Sequence, residues 1–273
     1  MKKGILSTII LILAFLVGLS LLLYPTVSDY WNSLHQSQAV ANYAEAVANL
    51  DDDIYETLWD EAQAYNERLF RSDHPLYLSE EERTEYEALL NVSGNGIIGY
   101  IEIAKINCTL PIYHGTDATI LEIAVGHIEG SSLPVGGEST HSVLSGHRGL
   151  PSARLFTDLD QLTEGDTFVL RILDEVLTYE VDQILIVEPQ EVDALAIEKG
   201  KDYCTLVTCT PYGINTHRLL VRGHRVENAK ESAGVRVTAD ATQIEPVIVA
   251  PLVAVPMLFV LLIVLLVKTR RKK

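Results

Sequence analysis

The segment Thr205-Leu206-Val207-Thr208-Cys209-Thr210-Pro211 carries a cysteine at the end of a stretch rich in threonine and valine. Those residues favour a strand, and Pro211 cannot continue its ladder, so Cys209 is predicted at a strand terminus. A thiol there can reach a substrate and ionise beside a cation, which a thiol in an apolar interior cannot. Nucleophilic use of a thiolate needs a group that accepts and returns a proton near neutral pH, and histidine does this. Of eight histidines, His147 lies directly after a predicted strand in Leu144-Ser145-Gly146-His147-Arg148-Gly149, between two glycines that allow close backbone approach. Downstream, His217-Arg218-Leu219-Leu220-Val221-Arg222-Gly223-His224-Arg225 reads as a strand with basic residues at its start and end. An arginine across from the nucleophile, Arg218, would donate hydrogen bonds to the oxyanion of a tetrahedral acyl intermediate.

The two other cysteines have different expectations. Cys204 is five residues before Cys209 on one strand, so alternation points it to the opposite face, as a structural residue unable to reach Cys209 for a disulfide. Cys108 is left as a partner for either. The odd count of three leaves at least one thiol unpaired. His141, His147, His217 and His224 show neither H-E-x-x-H nor CxxC spacing, no EF-hand pattern is present, and no glycine-rich loop cradles phosphate. No metal or cofactor is therefore expected.

The elements that must position these residues are mostly strands. Thr167 to Leu173 and Val176 to Val187 alternate apolar and polar residues around Asp174-Glu175, the pattern of a hairpin with one buried face. Ser139 to Leu144 and Tyr203 to Thr208 are also strand-like, and strands dominate from Ile97 to Val226, which favours a barrel or sandwich. Upstream, Ser28 to Leu69 reads as helix, with Val47, Leu50, Ile54, Leu58, Ala62, Tyr65 and Leu69 at steps of three and four. Arg71-Ser72-Asp73-His74-Pro75-Leu76-Tyr77 breaks it, and a capping box at Ser79 and Glu82 starts a short helix towards Leu90.

Both ends are apolar. Residues 4–23 and 247–267 are uncharged runs of twenty and twenty-one, each long enough to cross a bilayer as a helix. The first exceeds a signal core and lacks a small-residue cleavage site, so an uncleaved anchor is expected. Lys2 and Lys3 flank the first run, and Lys268, Arg270, Arg271, Lys272 and Lys273 flank the second, which puts both termini in the cytoplasm and the intervening part outside. Seven of 21 basic residues sit in these tails and all 37 acidic residues lie between the spans, leaving 14 basic against 37 acidic residues and a net −23 there. That charge argues against nucleic acid or anionic lipid as ligand. The expected plan is a cytoplasmic N-terminus (1–3), an anchor (4–23) and a helical region (24–96) with a possible lid at 71–78. A catalytic domain (97–226), a polar linker (227–246), a second transmembrane helix (247–267) and a basic cytoplasmic tail (268–273) follow.

The segments around His147, Cys209 and Arg218 resemble, in order, the histidine, cysteine and arginine motifs of sortases. Gly99-Tyr100-Ile101-Glu102-Ile103, Leu110-Pro111-Ile112-Tyr113-His114-Gly115 and Leu133-Pro134-Val135-Gly136-Gly137 resemble the pilus-assembling class C group. The resemblance spans about half the chain. It implies a mainly β fold, a closed barrel of about eight strands, preceded by the helical region and flanked by two transmembrane helices. It also implies a cysteine transpeptidase that cleaves an LPXTG-like sorting signal after threonine, forms a thioester at Cys209 and passes the acyl group to a pilin lysine. His147 would serve as acid and base, Arg218 would hold the carbonyl, Thr208 would contact the bound peptide, and residues 188–200 would line the groove. Class C enzymes usually carry a lid with an aspartate-proline-aromatic motif; here proline is displaced by one residue and the aromatic by two, so the segment is either a lid using Asp73 and Tyr77 or an ordinary loop with no plug. Partners would be pilins or surface proteins bearing the signal, with a pilin lysine or a cell-wall precursor as amine acceptor. Attachment of surface proteins to cell-wall precursor, hydrolysis by a secreted cysteine enzyme, and a non-enzymatic two-anchor scaffold are the competing readings.

Overall fold

The computed structural model describes residues 2–72 and 78–228, together with residues 255, 256, 259 and 263. The chain divides into two compact units, Met1–Trp31 with Ser232–Lys273, and Asn32–Glu231.

In the first unit, helix α1 (Lys2–Ala48) begins with the predicted anchor. It is long and apolar enough to cross a membrane, and Leu13, Leu16 and Leu21 are exposed along it. The helix runs on through Pro25, past the end expected at residue 23, because a single proline removes one N–H without preventing helical bonding on either side. The second predicted span, like most of the 227–246 linker and the tail, lies largely outside the described residues.

In the second unit the helical region is broken where one helix was expected. The last turn of α1 tightens through Asn49 N to Ala46 O and Leu50 N to Val47 O, and α2 (Asp52–Phe70) starts after an extended Asp51. Asp52 and Asp53 in its first turn complement the helix dipole, which favours restarting there. The apolar stripe nevertheless persists across the break, since Val47, Ala62, Tyr65 and Leu69 all join the core. Asn66 fixes α2 by exchanging both hydrogen bonds of Leu133, donating to its carbonyl at 3.0 Å and accepting from its N–H at 2.7 Å. Tyr43 of α1 does likewise, donating to Ile98 O and accepting from Leu173 N.

Helix α3 (Glu80–Ala88) opens with the predicted Ser79 and Glu82 capping box. Its fully buried Tyr86 donates to Nδ1 of His127 at 2.8 Å and accepts from Gly115 N. The other ring nitrogen of His127 faces the carbonyl of Ser132 at 2.8 Å, so the proton of the neutral ring sits on Nε2. This contact attaches α3 to the sheet.

The strands are β1 (Ile97–Ile103), β2 (Cys108–His114), β3 (Val125–His127), β4 (Thr140–Ser145), β5 (Thr167–Ile172), β6 (Glu175–Val187), β7 (Asp202–Thr210) and β8 (His217–Val226). They close into a barrel in the order β1-β2-β3-β4-β7-β8-β6-β5. The β2/β3 and β4/β7 pairs are parallel and the rest antiparallel. β5 and β6 form the expected hairpin, turning at Leu173 and Asp174. Ile101, Leu144, Phe168, Leu170, Tyr179, Cys204, Leu206 and Val221 belong to the main core, with the Phe168 and Tyr179 rings stacked 5.5 Å apart. A mainly β fold with an eight-stranded closed barrel is thus the architecture.

Candidate active site

Cys209 lies directly opposite Arg218 in the β7/β8 ladder. On the other side of β7, the parallel register with β4 sets Ser145 beside Val207. Gly146 extends that ladder by one step, donating its N–H to Val207 O at 3.0 Å. Cys209 and Arg218 thus share one row across β7 and β8, about 5 Å from strand to strand, and His147 follows Gly146 just past the end of β4. Alternation puts this row on the outer face of the barrel, because the intervening Leu206 and Leu219 belong to the main core.

The row continues down the same face. Ser145, Val207 and Leu220 form the next row, then Val143, Thr205 and Arg222, then His141, Tyr203 and His224. Beside it β6 contributes Val187, opposite Arg218, and Leu185, opposite Leu220. Val143, Val207 and Leu220 make a small apolar cluster separate from the main core, against which Ile128, Leu185, Val187, Ala194 and Leu195 pack. The floor next to the cysteine is thus apolar and is walled by the 188–201 connection.

The segment carrying His147 is held from several sides. Gly146 is packed so closely that an added Cβ would lie 2.7 Å from the ring of buried Phe156, which fits the requirement for glycine before His147. Phe156 N donates to His147 O at 3.1 Å, and Gly149 N donates to the Thr157 hydroxyl. Thr208 is 2% exposed, and its hydroxyl donates to Gly146 O at 2.7 Å. It faces the barrel interior beneath the histidine segment, away from the outer face where a peptide would lie, so its structural place is a strut and not a peptide contact.

Arg148, which the sequence reading passed over, is 9% exposed at its side chain. Its guanidinium bonds the Thr210 hydroxyl at 3.3 Å, pairs with Asp160 and lies 5.9 Å from the centre of the Tyr212 ring. It thus ties the residue after His147 to the residue after Cys209. Its only sequence signal was its position inside the histidine motif. The Arg218 guanidinium donates to the carbonyls of Asn215 and His217, at 3.3 and 3.1 Å, within its own turn.

All three cysteines are free. Burial raises the Cys108 thiol to about 12 and the Cys204 thiol well above its ordinary value, so neither is a thiolate near neutral pH. Cys209, half-buried at the end of its strand, is the thiol placed opposite an arginine. Asp73 and Tyr77, the expected lid residues, lie outside the described residues. Among the described residues, no group of three or more histidine, cysteine, aspartate or glutamate side chains is placed to hold a metal ion.

Residues 101–226 match the sortase domain family. Sortase C1 from Streptococcus agalactiae is 51% identical and superposes with a TM-score of 0.68, over 70% of this chain and 100% of that one. Clostridium perfringens sortase C, solved with the C-terminal cell wall sorting motif, is 47% identical with a TM-score of 0.63, again over 70% and 100%. Sortase D of Bacillus subtilis (strain 168) is 36% identical over 131 residues, which amount to 47% of this chain and 63% of that protein, so the chain spans less than two thirds of that relative's length. With a closed eight-stranded barrel, a cysteine and an arginine facing each other across β7 and β8 and these relatives, the chain belongs to the sortase family of cysteine transpeptidases, with class C sortases as its structural neighbours.

Proposed function

We propose that this chain is a pilus-type transpeptidase that cleaves an LPXTG-like sorting signal between threonine and glycine and joins the threonine to a pilin lysine. With the thiol proton passed to His147, the Cys209 sulfur attacks the threonine carbonyl carbon, and the carbonyl oxygen takes up negative charge. Arg218, one strand away, turns N–H groups from its own loop carbonyls onto that oxygen. As the tetrahedral intermediate collapses, the C–N bond breaks, His147 gives a proton to the departing glycine amine, and a thioester remains on Cys209. His147 then takes a proton from the incoming lysine amine, which attacks the thioester; the C–S bond breaks and an isopeptide bond forms. The partly exposed Leu185 and Val187, beside Arg218, suit the leucine and proline of the signal, and the 188–200 connection is the wall of the groove. The catalytic unit acts outside the cell, with both chain termini in the cytoplasm, a reading supported by the basic clusters at the two ends.

The observation that carries this reading is the register that sets Cys209 opposite Arg218, with Gly146, the residue before His147, bonded to Val207 on the other side of β7. The test combines the membrane protein in detergent with purified pilin. A covalent ladder of high mass is expected, together with a thioester adduct on Cys209 in mass spectrometry, and Cys209→Ala abolishes both. Faster turnover with oligoglycine than with pilin lysine would assign the chain to cell-wall attachment instead, and indifference to any added amine would make it a hydrolase.

A further inference from the structure

His141 is a buried histidine that the reaction above does not use. It lies three rows below the catalytic row on the outer face and is 1% exposed. Its Nδ1 faces the carbonyl of Ala196 at 2.9 Å, so that nitrogen carries the proton. Its Nε2 then accepts from the hydroxyl of Thr205 on β7, at 2.7 Å. Thr205 is itself 1% exposed. One ring thus joins the strand that carries Cys209 to the middle of the connection between β6 and β7, with the Thr205 bond buried and the Ala196 bond partly buried.

Arg222 reinforces the joint. It forms a two-point bond with Asp182 at 3.0 and 3.1 Å, lies 4.1 Å from the centre of the Tyr203 ring and reaches Glu198 in the connection at 3.6 Å. Ala194 and Leu195 pack on the apolar floor. Residues 194–198 are therefore tied to the sheet by packing, a neutral hydrogen bond and an ion pair. Residues 188–192 differ. They follow Val187, the neighbour of Arg218, are largely exposed, and their hydrogen bonds are local ones such as Glu188 N to the Glu191 carboxylate at 3.1 Å.

We propose that His141 is a positioning residue that anchors the wall of the peptide groove: its Nδ1–H···O bond to Ala196 fixes residues 194–198 on β4 and β7 and leaves 188–192 to adapt to the bound peptide beside the catalytic row. The inference deepens the function proposed above and rests on it for the identity of the peptide, but the anchoring itself does not depend on any substrate.

The experiment measures His141→Ala and His141→Asn in the full chain in detergent. Asparagine keeps an N–H donor near the position of Nδ1, so it restores the Ala196 bond. In His141→Ala, amide exchange of 194–198 should accelerate about 10-fold, the equivalent of one hydrogen bond. KM for an LPXTG-like peptide should rise about 5- to 10-fold with kcat within about 2-fold, the pattern of lost ground-state and transition-state binding alike. The rate of Cys209 alkylation by iodoacetamide should not change. His141→Asn should recover at least half of the exchange protection and of the KM. Unchanged exchange in His141→Ala overturns the proposal, as does a fall in kcat at constant KM or an asparagine variant as impaired as the alanine one. If His141→Ala does not fold, Thr205→Val keeps the ring but removes the hydroxyl that orients it, and the same exchange comparison decides. If the wild-type chain leaves the peptide uncleaved while exchange responds as expected, the sorting function fails and the anchoring stands.

Discussion

Replacing Thr208 with valine removes one hydroxyl and leaves the shape of the side chain. The hydroxyl is buried, and its single bond supports the Gly146 carbonyl at 2.7 Å, the peptide immediately before His147. Removal eliminates a hydrogen bond and leaves a buried carbonyl unsatisfied, which together destabilise by about 1–3 kcal/mol. For a unit of about 200 residues, a 2 kcal/mol loss corresponds to a Tm lower by about 4–8 °C. The remaining tie at this point is Gly146 N to Val207 O at 3.0 Å, so the histidine segment shifts by a fraction of an ångström rather than detaching. Misplacement by about 1 Å costs on the order of 100-fold in rate, so a partial shift predicts a kcat lower by about 10-fold, with KM within about 2-fold. Thr208→Ser keeps the hydroxyl and should retain most of kcat while losing some stability to the missing methyl. Steady-state kinetics on a sorting-signal peptide and thermal unfolding of the same preparations check this. A valine variant with normal kcat and a raised KM would refute the strut argument and assign the hydroxyl to peptide contact; a valine variant unchanged in both Tm and kcat would refute it outright.

Arg148→Met should lower stability by about 1–2 kcal/mol, the low end for a charged hydrogen-bonding group because Asp160 is half exposed and regains water. It should also lower kcat more than it raises KM, since it unties the residues after His147 and Cys209; equal kcat in kinetics on purified variants would count against that tie. The pH dependence of stability has a defined sign. Burial lowers His127 to about 4, against about 6.5 unfolded, so the folded state binds fewer protons. Its contribution is complete above about pH 6.5 and is lost as pH falls towards 4, about 3 kcal/mol over that window. Burial shifts His114 and His141 in the same direction, while Asp202, raised by burial, acts oppositely as it gains a proton. Guanidinium unfolding at several pH values should therefore give lower stability at pH 4.5 than at pH 7, and a flat profile would contradict the buried neutral His127.

The particular elements show which interactions are local. The Ser79 capping box, the 167–187 hairpin and the end of β7 at Thr210, just before Pro211, depend on neighbours in the chain, and each was legible in the sequence. The break at residues 49–51 was not. An apolar stripe at steps of three and four continues across it, and periodicity reads burial, not backbone continuity. The passage of α1 through Pro25 was missed because a proline usually marks a helix end, yet it removes only one bond.

By itself, the sequence determined which residues have the chemistry: a strand-terminal cysteine, a histidine between glycines and an arginine opening the next strand. It also determined that Cys204 and Cys209 face opposite ways, since a two-residue period is a property of any strand. Only tertiary structure decided that β4 runs parallel to β7 and β8 antiparallel to it, and hence that residues 209 and 218 face each other while the end of β4 lies along the other side of β7. It alone turned Thr208 inward under Gly146 and brought His141 to Ala196, 55 residues away. Strand order and register are settled by the closure of the whole barrel and the packing of its core, and no local window of sequence contains that information.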